Sequence, residues 1–217
     1  MDELERWAAQ VVEGDPLAAG AFVRATQRDV WRLCAHLTDP QIAEDLTQET
    51  YLRAFPALRR FQGRSSVRTW LLSIARRVCA DHLRRKSRNP QIAVPERAEW
   101  PEWFRADDEV GDGVAAQDAV DRLAPERREA FVLTQLLGLS YAEAAAVTGC
   151  PVGTIRSRVA RARDDLVSAL GPDGEGRGSG GSDSGGRRVQ RLPDTPGMRE
   201  IAAPSQARAH GTTAGDK

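Results

Sequence analysis

The stretch LSYAEAAAVTGCPVGTIRSRVARARDDLVSAL, residues 139–170, decides the fold. It reads as two helices joined by a tight turn. Ser140 is placed to cap a helix over Tyr141 to Thr148, and Gly149 supplies the turn. Pro151 suits the first position of the next helix, where no backbone donor is needed. At about 3.6 residues per turn, Ile155, Val159, Ala162, Leu166 and Leu170 fall on one arc of that helix. Arg156, Ser157 and Arg161 fall on the opposite arc, with Gly153 and Ala160 between them. Small residues there let a helix axis sit deep in a groove. Arginines pair bidentately with guanine edges or hold phosphates. The layout is that of a helix-turn-helix whose second helix enters the major groove of DNA. The competing reading is a solvated basic face on an ordinary helical hairpin, and the turn geometry favours the first.

Working outward, the chain has 217 residues, enough for one or two domains. It is 41% hydrophobic and 29% charged, as suits a soluble globular protein with polar connections. Apolar runs are short, and the N-terminus MDELERWAAQVVEGD is acidic and polar. The expectation is a cytoplasmic protein with neither a signal peptide nor a membrane span. Cys34, Cys79 and Cys150 lie far apart and give no disulfide framework. Neither Cys34 with His36 nor Cys79 with His82 makes a convergent metal set. No metal or cofactor is expected.

A net charge of zero, from 31 basic and 31 acidic residues, hides a division along the chain. From Arg53 to Arg88 eleven basic residues face one acid, Asp81, a balance of +10. From Gln91 to Glu129 eleven acids face five arginines, a balance of −6. Such asymmetry points to a polyanionic partner for the basic block.

Strand signals are scarce, and the expected class is all-α. A helix is predicted over about Glu3 to Val12, broken at Gly14-Asp15-Pro16. Asp15 then caps a second helix carrying Phe22, Val30, Trp31, Leu33 and Leu37 to a core. Asp39 caps a third helix running to about Arg60, and a fourth covers about Ser66 to Arg85. Residues 1–88 read as one compact helical domain. Residues 89–116 read as a flexible acidic linker with an unusual aromatic cluster, Trp100, Trp103 and Phe104. Residues 117–170 read as a second helical domain, opened by a helix from Pro125 through Leu137 that Gly138 ends. Residues 171–217, rich in Gly, Ser, Pro and Arg, read as a disordered tail.

Two further helices have informative faces. In the third, Ile42, Ala43, Leu46, Thr50, Ala54, Ala57 and Leu58 share an apolar arc. Opposite stand Gln41, Asp45, Gln48, Glu49, Leu52 and Pro56. Leu52 on that polar face fits either an isolated exposed leucine or the apolar centre of a helix-docking patch. In the fourth, Trp70, Leu71, Ile74, Ala75, Val78 and Cys79 make the side to be buried. Thr69, Ser73, Arg76, Arg77, Ala80 and Arg84 make an exposed stripe that suits a phosphate track. The loop Phe61-Gln62-Gly63-Arg64-Ser65-Ser66 before it is either a helix connector or a cradle for an unstacked base.

Three segments together, DPQIAEDLTQETYLRAFPALRRF, TWLLSIARRVCADHLRRKSR and LSYAEAAAVTGCPVGTIRSRVARARDDL, resemble the extracytoplasmic-function (ECF, group IV) sigma factors of bacterial RNA polymerase. The resemblance covers residues 1–88, similar to sigma region 2, and 117–170, similar to region 4. It implies a protein without catalysis of its own that guides core polymerase to promoters. Asp45, Gln48, Glu49 and Leu52 would grip the clamp helices of the polymerase β′ subunit. The resemblance also implies the β flap and an anti-sigma factor as partners. Phe61, Gln62, Arg64, Ser65 and Ser66 would capture a flipped base of the −10 element, with Arg76, Arg77, Arg84 and Arg85 on nearby phosphates. Thr154, Arg156, Ser157, Ala160 and Arg161 would read the −35 element, with Arg158 flanking. Many members carry Asn where this chain has Arg77, and a residue other than proline at Pro56. A stand-alone helix-turn-helix regulator is the alternative; it leaves the Asp45–Leu52 face and the basic block unexplained. A DNA-processing enzyme lacks a convergent catalytic set.

Overall fold

Turn chemistry sets the order of helices in a computed structural model that describes residues 2–88 and 113–170. Helix α1 spans Glu3–Glu13 and ends on Gly14, whose φ of 94° is left-handed. Asp15 caps α2, Pro16–Leu37, its carboxylate accepting from the Leu17 N–H at 2.8 Å. Asp39 does the same for α3, Pro40–Leu58, through the Gln41 N–H at 2.9 Å. Each proline follows its capping aspartate at the position where a missing N–H costs nothing. Pro56 does not end α3, which runs on to Leu58. It has no N–H to offer the Leu52 carbonyl one turn back. Helix α4 spans Val67–Arg88, longer than its sequence pattern predicts.

The first lobe packs α2 against α1, α3 and α4. Its centre is Phe22, Val30 and Leu33 with Ala54, Leu71, Leu72 and Val78, all essentially without solvent contact. Thr26 and Tyr51 bring two hydroxyls into this core and satisfy each other at 2.7 Å. The Thr26 hydroxyl also lies 2.7 Å from the Phe22 carbonyl, so neither group is stranded. Burial pushes the Tyr51 phenol up to about 12.

The second lobe begins with α5, Gly113–Asp121, which starts inside the stretch read from sequence as linker. Helix α6, Pro125–Phe131, then widens into a π-turn over Val132–Leu136. The Leu137 N–H reaches the Val132 carbonyl at 2.9 Å, and Gly138 (φ 68°) turns the chain. One continuous α-helix from Pro125 through Leu137 is therefore not what forms. Helices α7, Tyr141–Thr148, and α8, Val152–Leu170, complete the lobe. Pro151 sits just before α8 rather than inside it.

Ile155, Val159 and Ala162 of α8 are fully buried, as their arc requires. Leu166 is half-buried and Leu170 is exposed, because α8 outruns the lobe it packs on. The architecture is all-α, two helical lobes, with no strand among the described residues. The expected acidic linker through Asp112, its aromatic cluster and the tail from Gly171 lie outside those residues.

Described residues of both lobes fall in one compact unit. Their buried side chains form a continuous apolar cluster. Helix α4 packs on α7, and α2 packs on α6.

Candidate nucleic-acid and partner interface

Helix α7 is fixed by a reciprocal cap. The Ser140 hydroxyl accepts from the Glu143 N–H at 3.2 Å, and the Glu143 carboxylate accepts from the Ser140 N–H at 2.9 Å. Gly149, with φ 73°, reverses the chain in a conformation that a Cβ would strain. This geometry presents α8 with its apolar arc inward and Arg156, Ser157, Ala160 and Arg161 outward, all exposed. Gly153 adds no bulk, and open space surrounds it. Thr154 is half-buried, and its carbonyl accepts from the Ser157 hydroxyl at 3.0 Å. Arg158 turns towards Cys150, with its guanidinium 3.9 Å from the sulfur, so it braces the turn. Arg163 reaches back to Gln135 at 2.7 Å.

A second face lies on α3. Asp45, Gln48 and Leu52 are exposed, and Leu52 keeps 69% of its surface. Glu49 beside them is held by Arg53 at 2.8 Å. Arg53 also reaches Asp81 of α4 at 2.9 Å. Those two carboxylates, Asp81 first, raise the Arg53 pKa, and the same contact holds the Asp81 carboxyl below its usual range. Arg84 approaches Asp81 at 3.1 Å, and the Arg85 guanidinium approaches the Asp81 carbonyl at 3.3 Å.

The third face is the loop before α4 and the α4 stripe. Phe61 is half-buried with its ring 5.2 Å from that of Trp70, so it anchors the loop. Gln62 and Arg64 are exposed around Gly63, whose φ is 66°. Ser65 is half-buried. Ser66 caps α4, accepting from the Thr69 N–H at 3.1 Å. Arg77, Arg84 and Arg85 are exposed.

The spacing predicts an exposed stripe, but the structure leaves it only partly in solvent. Thr69 is only 3% exposed, and Arg76 is half-buried in an ion pair with Glu129 of α6. The second lobe covers them. The Thr69 hydroxyl donates to Glu143 at 3.3 Å, and Arg68 donates to the Leu137 carbonyl at 2.7 Å while pairing with Asp29. Sequence reasoning did not single out Glu129, Glu143 or Arg68. Glu143 was within reach through its place three residues after Ser140. Contacts as remote in sequence as Arg76 to Glu129 leave no local signal.

Two known families match the two lobes. Sigma-70 region 2 matches residues 22–89, and a second match is described as Sigma-70, region 4, at residues 114–166. The chain is 52% identical over 170 residues to a protein named ECF RNA polymerase sigma factor SigC from Mycobacterium tuberculosis, covering 76% of this chain and 90% of that protein. Among solved structures it is similar to the sigma factor RpoE of Bartonella quintana, crystallised with the anti-sigma factor NepR. That likeness has a TM-score of 0.61 at 29% identity and covers 70% of this chain and 95% of the other. It is also similar to CnrH, solved with the cytosolic domain of CnrY, at a TM-score of 0.62 and 26% identity over 79% and 99% of the two chains.

Proposed function

The chain belongs to the ECF sigma factors of the sigma-70 family, whose role is to direct RNA polymerase to promoters, and from that premise we propose how its three faces divide the work. Helix α8 reads the −35 element through Arg156, Ser157, Ala160 and Arg161, with Thr154 at the rim. Arginine supplies bidentate contacts to guanine edges, and the small residues allow close approach. Arg158, braced on Cys150, contributes by holding the turn or a flanking phosphate. The observation that carries this reading is α8 itself, buried at Ile155 and Val159 and bare along the opposite arginine face.

Residues 1–88 act as the region 2 domain and residues 117–170 as the region 4 domain. The Asp45, Gln48, Glu49 and Leu52 face docks on the β′ clamp helices, where an exposed leucine within a polar rim has the composition of an interface centre. The second lobe meets the β flap. Gln62, Arg64, Ser65 and Ser66 receive an unstacked −10 base beside the Phe61–Trp70 pair, and Arg76, Arg77, Arg84 and Arg85 hold its phosphates. Two modest DNA contacts joined through polymerase raise each other's effective concentration. The protein contributes recognition rather than catalysis, works in the cytoplasm on nucleoid DNA, and is regulated by an anti-sigma factor.

Purified chain added to core polymerase should yield promoter-dependent transcripts. Tight promoter binding without polymerase, together with no transcripts, would contradict this function.

A further inference from the structure

Helix α8 carries its charge unevenly along the face turned to DNA. At about 3.6 residues per turn, Asp164 falls on the same arc as Gly153, Ser157, Ala160 and Arg161, one turn past Ala160 and two past Ser157. It is exposed and stands opposite the side that buries Ile155 and Ala162. The face therefore begins on small and cationic residues and ends on a carboxylate. The adjacent Asp165 is accounted for by Arg127 of α6 at 2.6 Å, an ion pair that ties α8 to its lobe. Asp164 has no such structural duty. Its carbonyl accepts from the Ser168 hydroxyl at 2.9 Å, and among the described residues no cation pairs with its carboxylate.

The nearby cations that could offset it are turned elsewhere. Arg163 reaches back to Gln135, and Arg158 leans on Cys150. The cations of this arc left to face DNA are Arg156 and Arg161, within about 8 Å of helix axis. A recognition helix meets base edges with its N-terminal residues. The helix is straight and the groove curves away. About 11 Å beyond Ser157 the helix passes the groove wall, where duplex DNA carries about one charge per 1.7 Å of axis. A carboxylate there is repelled in every pose, and most in poses that slide α8 towards its C-terminal end.

We propose that Asp164 is a specificity-determining residue of the −35 contact: a fixed negative charge that ends the reading segment of α8 and holds down its grip on DNA of the wrong sequence. The role rests on α8 being the −35 reader. A helix that is basic along its whole exposed arc gathers phosphates of any sequence. One that is basic for a turn or so and then acidic keeps a small general attraction, and base contacts must supply the rest. Repulsion of this kind separates right from wrong partners at a cost in affinity. In the holoenzyme that cost is offset, because polymerase tethers the lobe beside its site.

Full-length Asp164→Asn tests this. Glu126→Gln, at an exposed acid of α6, controls for one lost charge. The probe is a fluorescein-labelled duplex of scrambled sequence, read by anisotropy. Asp164→Asn should bind it roughly threefold tighter than wild type at about 0.05 M salt, and the gain should shrink at about 0.2 M as screening shortens the reach of an exposed charge. Glu126→Gln should stay close to wild type. In an Arg156→Ala/Arg161→Ala background, which removes the contacts that seat α8, the gain should vanish. All of these side chains are exposed and support no core. Holoenzyme selection from promoter duplexes randomised across the −35 region should return a broader set of sequences for Asp164→Asn than for wild type. No tightening, equal tightening in the control, or a gain that survives loss of both arginines would overturn the role. If loss of both arginines changes neither duplex binding nor promoter selection, α8 is not the reader and the role of Asp164 falls with it, a result distinct from failure at Asp164 alone.

Discussion

At the scale of single residues, the exposed arginines of α8 and the lone leucine of α3 make the sharpest claims. Arg156→Ala should cost ~1–3 kcal/mol of −35 binding and relax base preference there. Competition binding of holoenzyme on promoter variants measures both, and unchanged preference would remove Arg156 from the reading face. Leu52→Asp should weaken assembly with core polymerase at unchanged thermal stability, because Leu52 is 69% exposed and supports no core. Co-purification with core polymerase is the check. Leu52 was legible in the sequence because an apolar residue at helical spacing among Asp45, Gln48 and Glu49 breaks a simple pattern. Thr69 was not. Its position on α4 is one that a helix in isolation would leave in water, and only the opposing lobe buries it.

At the scale of elements, local chemistry wrote most of the boundaries. Asp15-Pro16, Asp39-Pro40 and Ser140 each start a helix, and Gly14, Gly138 and Gly149 each end one in left-handed backbone. Ser140→Ala removes one half of the α7 cap and should cost about 1 kcal/mol, read as a lower urea midpoint at unchanged slope. The π-turn escaped the sequence reading. One extra residue in a turn leaves the hydrophobic pattern of Val132, Leu133 and Leu137 close to that of an α-helix. Helix α5 escaped in part because residues 113–116 adjoin the proline-rich acidic stretch and share its reading as linker, although α5 begins at Gly113.

At the scale of the whole molecule, the seam between lobes contains a group that titrates. His36, at the end of α2, is 1% exposed. Its Nδ1 lies 3.1 Å from the Gln117 amide and 3.5 Å from Asp121, with Arg32 and Arg128 also acting on it. Burial lowers its pKa from the ordinary 6.5 and outweighs the opposing pull of Asp121. The folded chain then holds fewer protons than the unfolded one just below 6.5. Stability is full above that value and declines as pH falls towards the folded pKa. Urea midpoints at about pH 7.5 and about pH 5.5 should differ in wild type and converge in His36→Gln.

The pairing of Arg76 with Glu129 has a consequence for ions in solution. The counterions released on binding are cations condensed on the nucleic acid, and when Arg76 leaves Glu129 for a phosphate the freed carboxylate takes cations up again. Binding of free chain to single-stranded DNA should therefore depend less steeply on salt than its phosphate contacts imply, at about −0.7 per phosphate in a plot of log affinity against log salt. A Glu129→Gln variant should recover the steeper line. On that account, the chain carries its own counterions and exchanges them for DNA.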